Sequence, residues 1–207
     1  MRTQVGTACG SGRLKPSEMS QLNVVGGKWR NLDDMRQWND NDVPIAYFFT
    51  FRARGTWLHG DKRGSISRHR NKYGTPYLPA EPNWLKINQG RLKVRPVRLD
   101  ASRRRAAEDA IRETCQKRGW DLFAVNARSD HVHAVADIGQ KDPDIALNAF
   151  KANATRIMRE RRVWLDDGSP WADKGSKRRL WTESAVDAAV AYVKYEQGEP
   201  LPDGEDD

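Results

Sequence analysis

Apolar and aromatic residues crowd the run Ile45-Ala-Tyr-Phe-Phe-Thr-Phe51, the pattern of a buried strand. Further on the period becomes helical. Asp100 stands as an N-cap ahead of Ala107, Ala110, Ile111, Thr114 and Cys115, spaced three and four apart, and Gly119 follows Arg118 as the stop. Trp120 to Ala127 and His131 to Ile138 then read as two strands, and the short link Arg128-Ser129-Asp130 makes them an antiparallel hairpin. Asp142 and Pro143 carry the cap and first-turn signals of a helix reaching about Arg162, with Ala146, Phe150, Ala154, Ile157 and Met158 as its apolar stripe. After a loop rich in Gly, Asp and Pro that holds Trp164 and Trp171, Arg178 to Trp181 is expected as a short last strand. Thr182 or Ser184 can cap a final helix that carries Tyr192.

Strand, helix, strand, strand, helix, strand and one additional helix is the ferredoxin-like βαββαβ order, an α+β fold with a four-stranded antiparallel sheet. Residues 1–43 are polar, lack sustained periodicity and read as a flexible arm. The domain is expected over 44–200, interrupted at 54–98 by a long irregular insertion dense in Gly, Pro, basic and aromatic residues, with an acidic tail at 201–207. The fold alone names no function, because it hosts nucleic-acid-binding modules as well as enzymes.

Charge narrows the choice. Lys and Arg outnumber Asp and Glu by 36 to 28, a net charge of +8. Asp203, Glu205, Asp206 and Asp207 sit together at the end with no base, so the body is more basic than the total. With eight Trp and five Tyr, such a surface suits a polyanion with stackable rings, nucleic acid before membrane. Cys9 and Cys115 are too few and too far apart for a disulfide framework or a four-ligand zinc site. No apolar run approaches the roughly 18 residues of a membrane span, and the start lacks the apolar core of a signal peptide. A soluble, cytoplasmic protein is the expectation.

Candidate chemistry begins at His131-Val132-His133. Side chains alternate along a strand, so both imidazoles share one face while Val132, Ala134 and Ala136 take the other, and a rigid imidazole pair offers two positions of a metal shell. The plain alternative is two ordinary histidines beside a turn. On the last helix Val186, Ala189, Val190 and Val193 form the buried stripe, Tyr192 lies on its flank above small residues, and Tyr195 points to solvent. Gln197 would point inward if the helix continued, and Glu196 lies one turn beyond Tyr192. A tyrosine hydroxyl, with an ordinary pKa near ~10, needs a partner that polarises the phosphate it attacks, and a divalent metal does so. Lys151, Arg159 and Arg162 cluster on one face of the second long helix and are expected to contact a DNA backbone.

Asp130-His131-Val132-His133-Ala134-Val135, Asn148-Ala149-Phe150-Lys151, Leu180-Trp181-Thr182 and Ala191-Tyr192-Val193 followed by Gln197 together resemble the single-tyrosine HUH transposases of the insertion sequence 200/605 group, over about residues 45–200. The resemblance implies Mg²⁺ or Mn²⁺ and cleavage of single-stranded DNA, including hairpin ends, through a 5′-phosphotyrosine intermediate resolved by strand transfer. By position, His131 and His133 resemble the metal pair, Tyr192 the nucleophile and Gln197 the third ligand. The usual glutamine follows the tyrosine by four residues; here Gln197 follows by five and Glu196 holds the fourth place, so either can be the third ligand. Family members include homodimers that exchange the tyrosine helix. The competing classes are a non-catalytic RNA- or single-stranded-DNA-binding module on the same fold and a domesticated, repeat-associated relative.

Overall fold

The computed structural model describes residues 22–25, 28–31, 43–65, 76–198 and 201. Most of the expected arm, the centre of the insertion and the acid-bearing end of the tail lie outside the described residues. Within the first 40 residues, which form a unit of their own, β1 (Leu22–Val25) and β2 (Lys28–Asn31) pair antiparallel, a hairpin absent from the expected arm.

The second unit holds the sheet of β3 (Ala46–Ala53), β4 (Asp121–Ala127), β5 (His131–Asp137) and β6 (Trp171–Leu180) in the order β4-β5-β3-β6, every pairing antiparallel. Helices α2 (Ala101–Arg118) and α3 (Pro143–Glu160) cover one face, and the ferredoxin-like order expected from the periodicity is present. Their ends form where the chemistry dictates. Asp100 accepts from the amide of Arg103 and Asp142 from that of Asp144, while Gly119 closes α2 at φ 66°, a left-handed conformation that favours glycine. Phe49, Phe51, Val132, Ala134 and Ala136 meet Ala110, Ile111, Phe150 and Met158 in the main core, with Phe49 edge-on to Phe150 at 5.3 Å.

Two expectations change. The last strand runs from Trp171, seven residues earlier than the apolar signal at Arg178–Trp181, because an edge strand covered on one face tolerates charges on the other. Gly175 in its middle is required by close packing: a Cβ there would lie 2.7 Å from the Thr50 carbonyl oxygen and 3.1 Å from the Leu147 side chain. The insertion is also not wholly irregular. It contains α1 (Pro82–Gly90), started by Pro82 and capped by the Glu81 carboxylate on the amides of Asn83 and Trp84.

The final helix α4 (Glu183–Tyr195) is capped by Thr182 and lies on the sheet face opposite α2 and α3, where Val186, Ala189 and Val193 pack on Ala46, Ala124, Val135 and Leu180. Among the described residues no helix is long and apolar enough to cross a membrane.

Candidate active site

Strand parity assembles the site. His131 and His133 sit opposite Arg52 and Thr50 of β3, on the face that α4 partly covers, and their rings lie 4.6 Å apart. Each imidazole is held through Nδ1. The Thr50 hydroxyl pairs with Nδ1 of His133 at 2.8 Å, and a carboxylate oxygen of Asp130 lies 2.6 Å from Nδ1 of His131. Arg63, from the insertion, donates to the other Asp130 oxygen at 3.0 Å, to both oxygens of Asp61 and to the carbonyl of Thr56.

This arrangement suits a metal. With the proton on Nδ1 the Nε2 lone pair is the free one, and no hydrogen bond from a described residue engages either Nε2; carboxylate or hydroxyl partners on the far nitrogen are the usual support of ligating histidines. Burial first, then the neighbouring His131 and Arg52, push the pKa of His133 down to about 3, which keeps that imidazole neutral as ligation requires. The hydrogen bond from His131, reinforced by Arg63, holds the Asp130 carboxyl well below the usual carboxylate range despite partial burial.

Phe48 completes the floor. Its ring stacks on His133 at 5.1 Å and meets Tyr192 edge-on at 5.9 Å. Tyr192 itself stands 5.6 Å from His133, ring centroid to centroid. The end of α4 is tied down by Asn126, whose side-chain amide donates to the Val193 carbonyl at 3.1 Å. Tyr195, by contrast, is 78% exposed against 40% for Tyr192 and makes no ring contact with the histidines among the described residues.

Both candidate third ligands, Glu196 and Gln197, lie past the last residue of the helix. α4 ends at Tyr195, and the Gln197 amide folds back to donate to the Tyr192 carbonyl at 3.0 Å. Among the described residues no three of His, Cys, Asp and Glu are grouped to hold an ion, so Glu196 does not stand with the pair.

The basic row on α3 also differs from expectation. Lys151 is buried, and its ammonium donates to the carbonyls of Ala172, Asp173 and Lys174 at 2.7, 3.0 and 3.2 Å, so its expected place on a solvent face is corrected to a clamp on β6. The reason is local: residues 172–174 have no register partner on β3, where the pairing shifts between Gly175 and Trp171, and the ammonium meets their carbonyls there. Arg159 is exposed but donates to the carbonyls of Asp166, Asp167 and Gly168, and Arg162 is exposed with φ 58° just past the helix. All three belong to the helix layer, across the sheet from the histidines.

Sequence reasoning missed the supporting set of Thr50, Arg63 and Phe48. Phe48 and Thr50 share the parity of His133, a signal available once β3 is paired with β5; Arg63 had none, since its contact arises from the folding of the insertion.

The family model described as IS200-like transposase matches residues 91–194, half of the chain, spanning both histidines and Tyr192 and stopping short of Gln197. A solved REP-associated tyrosine transposase bound to a REP hairpin is similar at 14% identity and TM-score 0.39, over 72% of this chain and 63% of that one. A candidate transposase from Deinococcus radiodurans R1 is similar at 10% identity and TM-score 0.39, over 77% of this chain and 95% of that one. The chain thus spans less than two thirds of the first of these structures. No curated protein matches.

Proposed function

The chain belongs to the family of IS200-like transposases, and from that premise we propose that it cuts and rejoins single-stranded DNA with Tyr192 as nucleophile at a metal held by His131 and His133. The observation that carries the reading is the approach of the Tyr192 ring to within 5.6 Å of the His133 ring, on a sheet face where both Nε2 atoms are left for a ligand.

The Tyr192 hydroxyl gives up its proton to solvent as its oxygen attacks the phosphorus, and the bond from phosphorus to the 3′ oxygen breaks. The new phosphotyrosine stays on the 5′ end, and the departing 3′ oxygen takes a proton to become a free hydroxyl. Rejoining is the reverse displacement, in which a 3′ hydroxyl attacks the phosphotyrosine and restores the phenol. Mg²⁺ or Mn²⁺, when bound, withdraws charge from a non-bridging phosphate oxygen and stabilises the negative charge that develops as the bonds exchange. His131 and His133 would supply two ligands, and the Gln197 side-chain oxygen is the proposed third, since only its amide nitrogen is engaged with Tyr192. Thr50 and Asp130 hold the two rings in orientation, and Asn126 holds the end of α4, so the phenol and the imidazoles are fixed before substrate arrives. Arg159 and Arg162 are proposed contacts for flanking DNA around the sheet edge.

The test is incubation with labelled single-stranded DNA and Mn²⁺, then denaturing electrophoresis. A metal-dependent covalent adduct in the wild type that is lost when His131 and His133 are both replaced by Ala is expected. An adduct of undiminished yield in that double variant would overturn the metal assignment, and none in the wild type would overturn the nuclease reading.

A further inference from the structure

The helix α4 covers only part of the face that bears the histidines. It packs on Ala46, Ala124, Val135 and Leu180. Beyond Phe48 the face opens along β3 and β6. Register places Ser176 opposite Thr50 and Arg178 opposite Phe48, with Arg52 further along β3 opposite His131. Alternation on β6 sends Gly175 and Lys177 to the helix layer, where Gly175 meets Leu147 and Lys177 pairs with Asp144, and leaves Ser176 and Arg178 on the site face. Both are exposed.

No acid shares this face of β3 or β6. The Arg178 guanidinium lies 5.3 Å from the centre of the Phe48 ring, the same ring that touches His133 and Tyr192, and no carboxylate among the described residues pairs with it. Arg52 marks the other end of the patch, stacked at 3.4 Å on Trp57. Four residues of β3 separate the Phe48 and Arg52 rows, roughly 14 Å along an extended strand. A guanidinium with no carboxylate partner among the described residues beside the proposed nucleophile, hydroxyls in the middle and a second cation beyond form a path for a polyanion, on the opposite side of the sheet from Lys151, Arg159 and Arg162.

We propose that this open half of the sheet face is the track for the DNA strand being cut, with Arg178 binding a backbone phosphate next to the one attacked and Ser176 donating to the same backbone. The inference deepens the reading of the site as a DNA-cutting centre. Planar guanidinium matches phosphate oxygens with paired donors, and its packing on Phe48 fixes the fork relative to Tyr192 and His133. Arg178 thereby selects which linkage of a bound strand lies at Tyr192.

Arg179, adjacent in sequence and equally basic, is opposite Tyr47 and faces the helix side, which makes it the control. The experiment uses the full chain with Tyr192→Phe, so that binding is read without cleavage. Single-stranded oligonucleotides carrying one neutral methylphosphonate at successive linkages are titrated by fluorescence anisotropy at several salt concentrations. Arg178→Ala should weaken binding about tenfold, flatten the salt slope by roughly one phosphate contact and abolish the sensitivity to one particular neutral linkage. Arg178→Lys should keep most of the salt slope, and Arg179→Ala should match the parent. Parent-like binding by Arg178→Ala, or an equal loss in Arg179→Ala, would overturn the track. A wild-type protein that forms no adduct while the Arg178 and Arg179 results differ as expected would defeat the nuclease reading and leave the track standing.

Discussion

Tyr192 stands edge-on to His133, the ring planes at 71° and the centroids 5.6 Å apart. Helix packing and strand register produce this relationship together. Val186, Ala189 and Val193 seat α4 on the sheet, which fixes its rotation and brings Tyr192 over the β5 residues, while the pairing of Thr50 with His133 fixes which β5 residues lie beneath. A one-residue slip of β5 would send both histidines into the main core.

Orientation of the imidazoles predicts the first outcome. Asp130→Asn and Thr50→Val each remove or weaken the partner of one Nδ1, and Mn²⁺ affinity measured by calorimetry should fall about 10–100-fold with the folded state intact. Arg63→Ala should produce a smaller loss, since it acts on His131 only through Asp130. Unchanged affinity in Asp130→Asn would mean that the carboxylate serves the loop alone.

Lys151 predicts a loss of stability, not merely of DNA binding. Lys151→Met keeps the stem but leaves three carbonyls of the 172–174 segment without their donor, and urea unfolding should show a loss of about 1–3 kcal/mol. An unaltered unfolding midpoint accompanied by weaker DNA binding would restore Lys151 to the surface role expected from its sequence position.

Cys115 sets an alkaline signature. Burial pushes its thiol from 9.0 up to about 12. Because the folded protein holds this proton more tightly than the unfolded chain, the contribution to stability is complete below pH 9 and is lost as pH rises towards about 12. Thermal midpoints measured across that window should fall less steeply for Cys115→Ala than for the wild type, and Cys115 should resist alkylation at pH 8 until the protein unfolds. Rapid alkylation of Cys115 in the folded protein would contradict the burial.

Legibility in the sequence followed the strength of local signals. Asp100, Gly119, Asp142 and Thr182 cap the helices they were expected to cap, and the period-two pattern around His131 was enough to separate the histidine face from the core face. The beginning of β6 was hidden because an edge strand with Lys, Ser and Arg on its open face has no apolar alternation to read. The hairpin of β1 and β2 carries one local signal, the Gly26-Gly27 pair between Val25 and Lys28, in a stretch otherwise without periodicity. Lys151 was misplaced because periodicity ranks a lysine as polar, and only the folded chain reveals a cluster of carbonyls that captures its ammonium. Contacts that cross the chain, such as Arg63 with Asp130, leave no mark in local pattern at all.

Tyr192, and not Tyr195, is predicted to become joined to DNA. Wild type, Tyr192→Phe and Tyr195→Phe are incubated with labelled single-stranded DNA and Mn²⁺, and any adduct is digested and mapped by mass spectrometry. Tyr192→Phe keeps the ring packed against Phe48 and His133 but deletes the attacking oxygen, so it should bind DNA and form no adduct, while Tyr195→Phe should react as the wild type does. An adduct mapped to Tyr195, or one that survives in Tyr192→Phe, would contradict Tyr192 as the nucleophile.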